Sequence, residues 1–167
     1  EANIRKVRKD ARYTVGDIMH PPRLPLVDAI LCMHVLEHIE HPTKLFTIFS
    51  RQLAKSGHIL IVTPNRNSPM YFLHATLPKW LNRVLKKIFR LETNRTPLHY
   101  RANTDSDIIK LLKKSKFAIR ELSYCLDIPM ALEPSAYRLC WLLLHKLLIF
   151  ARLNKLMPMI AVVGQKK

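Results

Sequence analysis

Asp28-Ala-Ile-Leu-Cys-Met-His-Val-Leu-Glu-His38 is the stretch on which the fold turns. Its first six residues are a nearly continuous apolar run, the pattern of a strand covered on both faces. His34, Glu37 and His38 follow at once, so the strand ends in a turn rich in reactive groups. Downstream, Pro42 suits the first position of a helix, Leu45, Ile48, Phe49 and Leu53 make its apolar stripe, and Gly57 reads as its stop. His58-Ile-Leu-Ile-Val-Thr63 is a second buried strand, ended by Pro64-Asn65. Upstream, Ile4, Val7 and Ala11 at helical spacing predict a surface helix, and Arg12 to Val15 a short strand broken by Gly16-Asp17. Pro21, Pro22 and Pro25 stiffen the connection to Asp28.

Toward the C-terminus, Thr104 with Asp107 reads as an N-terminal cap, and Ile108, Leu111 and Leu112 form an amphipathic stripe with Lys110, Lys113 and Lys114 outside. Phe117 to Tyr124 alternates as an outer strand does. Met159 to Val163 is a last strand, and Gly164-Gln-Lys-Lys167 a solvated tail. Strands alternating with helices predict an α/β domain with a parallel or mixed sheet.

The bulk composition narrows the class. At 167 residues and 49% hydrophobic, the chain suits one domain with a sizeable core. The 28 Lys and Arg against 12 Asp and Glu give a net charge of +16, which calls for an anionic partner: a phospholipid surface, a nucleic acid or an acidic substrate. Cys32, Cys125 and Cys140 are an odd set without metal-ligand spacing, which points to a reducing compartment. The charged opening and the absence of an apolar run of roughly 20 residues argue against a signal peptide or a span, so the expected location is cytoplasmic, with peripheral membrane contact as an option. Only Gly16, Gly57 and Gly164 are present, too few for a glycine-rich nucleotide loop.

In open α/β sheets ligands bind beyond the carboxyl ends of the strands, which gives weight to Asp17, to Met33–His41 and to Pro64-Asn65. The order Gly16-Asp17-Ile18, then Asp28 to His38, then Leu53-Ala-Lys-Ser-Gly-His-Ile-Leu-Ile-Val-Thr-Pro-Asn65 resembles class I S-adenosylmethionine-dependent methyltransferases. The branch with methyltransferase type 11 and ubiquinone O-methyltransferase proteins is the most similar. His99-Tyr-Arg and Ile108 to Phe117 resemble it too. The resemblance implies a Rossmann-like, doubly wound, mostly parallel sheet and S-adenosylmethionine as cofactor. It implies that Asp17 accepts a hydrogen bond from the adenine amino group, while the backbone of Ile18 and the residues Cys32 and Met33 line the cofactor cleft. An ionised carboxylate, which only accepts, suits that role. An Asx-turn residue is the plainer reading of Asp17. The first strand, the glycine-rich loop and the acidic residue that such proteins use to hold the rest of the cofactor have no counterpart in these residues, so the expectation is an N-terminally truncated single domain over 1–167. Helical insertions are expected at 68–98 and 130–157.

His34 and His38 at i and i+4, with Glu37 at i+3, would converge on one side of a helical turn. That suits a divalent metal, and the imidazoles favour zinc over magnesium. The alternative is a helix start in which Glu37 or His38 fixes the loop. The same letters match the H-x-x-E-H pattern of zinc peptidases, a third reading. His99 is a candidate general base for an acceptor hydroxyl, or a surface loop histidine.

Two segments read as basic amphipathic helices. Between Pro78 and Leu91, Trp80, Leu81, Val84, Leu85, Ile88 and Leu91 fall opposite Lys79, Arg83, Lys86, Lys87 and Arg90, the composition of a helix lying on an anionic membrane. Ala136 to Leu153 is mostly large apolar residues with Arg138, His145 and Arg152 every seven, and its wide apolar face demands burial in protein or lipid. Lids over the acceptor site are the competing reading. Nucleic acid is disfavoured, because the basic residues alternate with aliphatic groups and not with stacking aromatics. The leading expectation is methyl transfer to a small-molecule or lipid-like acceptor. The alternative is a catalytically inactive, membrane-associated binding module.

Overall fold

The computed structural model describes residues 15–22, 24–69, 71, 78, 97–125 and 135–167. The helix expected over 1–11, most of the strand expected over 12–15 and all but Pro78 of the basic helix expected over 78–91 lie outside the described residues. Described elements run in the order β1 (Val27–Met33), α1 (Pro42–Gln52), β2 (Leu53–Pro64), α2 (Asp105–Lys114), β3 (Phe117–Cys125), α3 (Ser135–Phe150) and β4 (Met159–Lys166). Short 3-10 turns stand at Leu36–His38 and Asn154–Leu156.

The sheet order is β1-β2-β4-β3. The β1–β2 pair is parallel, joined through α1, and β4 runs antiparallel between β2 and β3. The C-terminal residues are therefore no solvated tail. Gln165 pairs with His58 on one side and Ala118 on the other, and the Lys166 ammonium donates to the Leu53 carbonyl at 2.6 Å. Gly164 sits where a Cβ would come within 2.9 Å of Leu112 Cδ2 and 3.1 Å of Ile59 Cγ2, so α2 can press directly on the sheet there.

Side chains alternate across the strands, and one face holds the core. Cys32, Ile59, Ile61, Ile160 and Val162 pack with Leu45, Phe46 and Phe49 of α1 and Ile108 and Leu112 of α2. Thr104 caps α2 as its sequence suggests, its hydroxyl accepting from the Asp107 N–H at 3.2 Å and donating to the Asp107 carboxylate at 2.6 Å. Leu31, Met33 and Leu60, on the other face, are exposed.

α1 ends at Gln52, not at Gly57. Leu53 already belongs to β2, and the register slips between Val27↔Leu53 and Ala29↔His58, with Ser56 in left-handed backbone at φ 61°. Gly57 serves that irregular turn through close packing: a Cβ on it would sit 3.0 Å from the Asp28 and Ala54 carbonyl oxygens.

Candidate active site at the strand ends

The parallel pairing of β1 and β2 brings their carboxyl ends side by side, with Met33 opposite Val62. His34 leaves β1 in left-handed backbone at φ 52° while its N–H still donates to the Val62 carbonyl at 3.0 Å. The chain then tightens into the Leu36–His38 turn, where Leu36 and Glu37 are buried. That turn is the anchor for residues 97–100. The Glu37 carbonyl accepts from the N–H groups of His99, at 2.8 Å, and Tyr100, at 3.1 Å, and His38 Nδ1 lies 2.8 Å from the Pro97 carbonyl oxygen.

The Glu37 carboxylate faces inward and ends a chain of polar contacts. Thr63 donates to Glu37 Oε2 at 3.3 Å, and Asn103 Nδ2 donates to Thr63 Oγ1 at 2.6 Å and to the Pro64 carbonyl at 3.2 Å. Glu37 Oε1 lies 3.6 Å from Nδ1 of the half-exposed His34. Asn103 Oδ1 is buried with no hydrogen-bond partner. Tyr100, itself in left-handed backbone, meets the ring of Tyr71 edge to face with centroids 4.7 Å apart. Burial first, then Tyr71 and Glu37, raises the Tyr100 phenol above its ordinary range.

These contacts do not assemble the three-ligand metal set that the sequence suggests. His34 and Glu37 come together, but His38 turns to Pro97, and among the described residues no group of three His, Cys, Asp or Glu is placed to hold a metal ion. The i, i+4 argument assumed an α-helical turn. The turn is a 3-10 turn of three residues, with His34 outside it. The H-x-x-E-H set of the zinc peptidase pattern is likewise not brought together in these contacts.

Asn65, one of the strand-end positions weighed from the sequence, has its polar atoms engaged within the chain. Its amide donates to the carbonyls of Lys155 and Met157, its Oδ1 accepts from the Asn67 N–H, and its own N–H donates to Pro158. It ties the end of β2 to the approach to β4. Tyr100 joins the site having entered only within the His99-Tyr-Arg segment, and Thr63 and Asn103 join it without having been singled out by sequence. Their only local signal is that Asn103 precedes a helix cap and Thr63 precedes a proline.

Asp17 is exposed and anionic. His20 Nδ1 lies 2.7 Å from Oδ2, the Met19 N–H donates to Oδ1 at 2.8 Å, and Lys44 Nζ of α1 lies 3.0 Å from His20 Nε2. The His20 contact and then the Met19 N–H hold the Asp17 carboxyl below its ordinary value. Ile18 and Met33 are exposed. Cys32 is not: its thiol packs in the core under α1, and burial, with Glu37 nearby, pushes it up to about 11. Only the Cys32 backbone is left to line a cleft. A separate hollow of about 810 Å³ lies between residues 19–24 and α1, lined by Met19, Pro21, Pro22, Lys44 and Arg51 among others. None of Asp17, Ile18, Cys32 or Met33 lines it.

Comparison with known proteins agrees with this layout. A S-adenosylmethionine-dependent methyltransferase from Mesorhizobium loti superposes with a TM-score of 0.60 at 17% identity, over 99% of this chain and 74% of its own. A SAM-dependent methyltransferase from Archaeoglobus fulgidus gives 0.53 at 15%, over 99% and 72%. Geranyl diphosphate C-methyltransferase from Streptomyces coelicolor, solved with Mg2+, geranyl diphosphate and S-adenosyl-L-homocysteine, gives 0.52 at 11%, over 99% and 57%. These likenesses establish the class I methyltransferase fold. Among curated protein sequences none matches. A family model described as a methyltransferase domain matches residues 5–122, well over half of the chain, and the protein therefore belongs to the methyltransferase domain family.

Proposed function

We propose that this chain transfers a methyl group from S-adenosylmethionine to a small or lipid-like acceptor at the carboxyl ends of β1 and β2. The observation that carries the reading is the Glu37 turn, where His34, Thr63, His99, Tyr100 and Asn103 meet at the strand ends of a methyltransferase domain. Bound S-adenosylmethionine supplies an electrophilic methyl group. The residues present fit its adenine end: Asp17 is exposed and anionic, and its local hydrogen bonds leave acceptor lone pairs for an amino donor. Ile18 and Met33 are exposed, as this reading requires of residues that line the cleft.

The chain's own contribution is to position the acceptor and hold its proton. His99, whose backbone is fixed on the Glu37 carbonyl, is the proposed base for an acceptor hydroxyl. Positioning donor and acceptor in line supplies the rest of the rate. An apolar acceptor is supported by the exposed Leu31, Met33 and Leu60, and by a fold neighbour solved with geranyl diphosphate. The rival reading, a membrane-associated binding module without catalysis, draws on the exposed apolar side chains of α3.

Calorimetry with S-adenosylmethionine tests the proposal. Binding is expected, and Asp17→Ala weakens it about tenfold, the worth of one charge-assisted hydrogen bond. Absence of binding, or an Asp17→Ala affinity equal to that of the parent, overturns the proposal. Transfer of labelled methyl to phenolic or lipid acceptors, lost in His99→Ala, separates the enzyme from the binding module.

A further inference from the structure

α3 presents its apolar side outward. Successive residues advance by about 100° around a helix. On that wheel Ile149, Leu142, Lys146, Phe150, Leu143 and Leu147 occupy one continuous arc, and every one of them is exposed. Phe150 is 88% exposed, Leu147 59% and Leu143 57%, values that leave most of each side chain in water. The inward side carries the buried Leu148 and the half-buried His145. A water-facing arc with five large apolar residues and a single lysine is the reverse of an ordinary surface helix.

The cap at its end is well defined. The Leu153 N–H donates to the Leu148 carbonyl and the Arg152 N–H to Ile149, with Arg152 at φ 56°, which is a Schellman closure. It holds exposed Arg152, Leu153 and Lys155 next to the apolar arc. Charge gives the second argument. From residue 134 to 167 there is no Asp or Glu, while Lys146, Arg152 and Lys155 are all exposed. At 16 residues, α3 is about 24 Å long, short of the roughly 30 Å of a bilayer's hydrocarbon core. No helix among the described residues is long and apolar enough to cross a membrane. With its other side packed on the protein, such a helix is suited to lie flat in the interface, apolar side down, with lysine and arginine stems reaching to headgroups.

We infer that the outer side of α3, from Leu142 to Lys155, is a docking surface for an anionic phospholipid membrane. The inference goes beyond the methyl-transfer reading and does not require it.

Vesicle flotation of the full chain tests it, using phosphatidylcholine mixed with phosphatidylserine against phosphatidylcholine alone, at low and at high salt. The chain is expected to float with the mixed vesicles at low salt and to be released by high salt. Lys146→Gln with Arg152→Gln and Lys155→Gln weakens binding roughly 100-fold. Leu143→Asp with Phe150→Asp abolishes it. All five side chains are exposed, so circular dichroism and the melting temperature stay unchanged in both variants. The inference is overturned by no flotation at low salt, by equal flotation with phosphatidylcholine alone, or by binding that neither variant reduces. It is overturned too if Leu143→Asp with Phe150→Asp instead dissolves a concentration-dependent dimer, which would make a second copy the occupant. Calorimetry separates the two proposals: the acidic variant keeps S-adenosylmethionine affinity, and vesicle binding without cofactor binding removes methyl transfer while leaving the docking surface intact.

Discussion

Asn103 offers a sharp test of the polar chain beneath the strand ends, because two substitutions of different size should rank against intuition. The side chain is fully buried and donates twice, to Thr63 Oγ1 at 2.6 Å and to the Pro64 carbonyl at 3.2 Å. Asn103→Ala removes two hydrogen bonds of about 1 kcal/mol each, but also removes the unpartnered buried Oδ1, so the net loss is about 1–2 kcal/mol. Asn103→Asp keeps the shape and turns both donors into acceptors. The two bonds are lost, the Pro64 carbonyl is left facing an oxygen, and a second carboxyl enters a buried site already holding Glu37. Its cost is about 3–5 kcal/mol, since a buried charge without a partner is penalised more than a missing side chain. Urea unfolding followed by circular dichroism, with unchanged denaturant slopes, reads both values. An Asn103→Asp protein as stable as Asn103→Ala, or more so, would refute the direction of donation assigned to this chain of contacts.

Three further outcomes follow from the packing and the charges. Gly164→Ala places a methyl group 2.9 Å from Leu112 Cδ2 and 3.1 Å from Ile59 Cγ2, and it should cost about 1–3 kcal/mol in thermal unfolding, a neutral result meaning that α2 has room to shift. Burial and then the hydrogen bond to Asp105 push the Tyr124 phenol up to about 12 from its ordinary 10. A folded value above the unfolded one makes this contribution full below the unfolded value and lost as pH rises through the folded one. Ultraviolet titration should show Tyr124 ionising earlier in Asp105→Asn, and an unmoved titration would rule out the pairing. Asp17 works with the opposite sign: its lowered carboxyl adds stability above the unfolded value and loses it as pH falls through the folded one. His20→Ala should let the carboxyl rise toward its ordinary value in a carbon-detected NMR titration.

What the sequence made legible was the local part of the fold. The apolar runs at 28–33 and 58–63 became β1 and the regular part of β2, and Pro42 and Thr104 start their helices where their backbone chemistry requires. The face on which each residue falls was not legible, because a run that is apolar throughout carries no alternation to read. Cys32 and Met33 looked equivalent for that reason, yet one packs under α1 and the other faces out. The place of β4 was hidden as well, since its pairing with β2 and β3 is made by residues far apart in the chain. The polar site failed in the same way. Asn103 meets Thr63 across 40 positions, and His34 and His38 seemed to converge only on the assumption of a helical turn that β1 does not enter.

The distribution of buried polar groups ties these strands together. Among the described residues the buried polar side chains are Glu37, Thr63, Asn65, Ser68 and Asn103, and all of them belong to one end of the sheet. Hydrophobic packing does not require this, because each such group must recover its lost hydration from a partner. Partners are available only where segments cross. At this end the carboxyl ends of β1, β2 and β3 meet the start of β4, with Pro64 facing Met159 and Met159 facing Cys125. The segment entering β4 supplies the Lys155 and Met157 carbonyls that Asn65 uses, and the end of β2 supplies the Pro64 carbonyl that Asn103 uses. The unpartnered Asn103 Oδ1 and the half-exposed His34 beside Glu37 stand where that network stops. The crossing of segments at the carboxyl ends of the parallel strands thus decides where this chain buries its polar groups, and that is the end at which open α/β sheets bind their ligands.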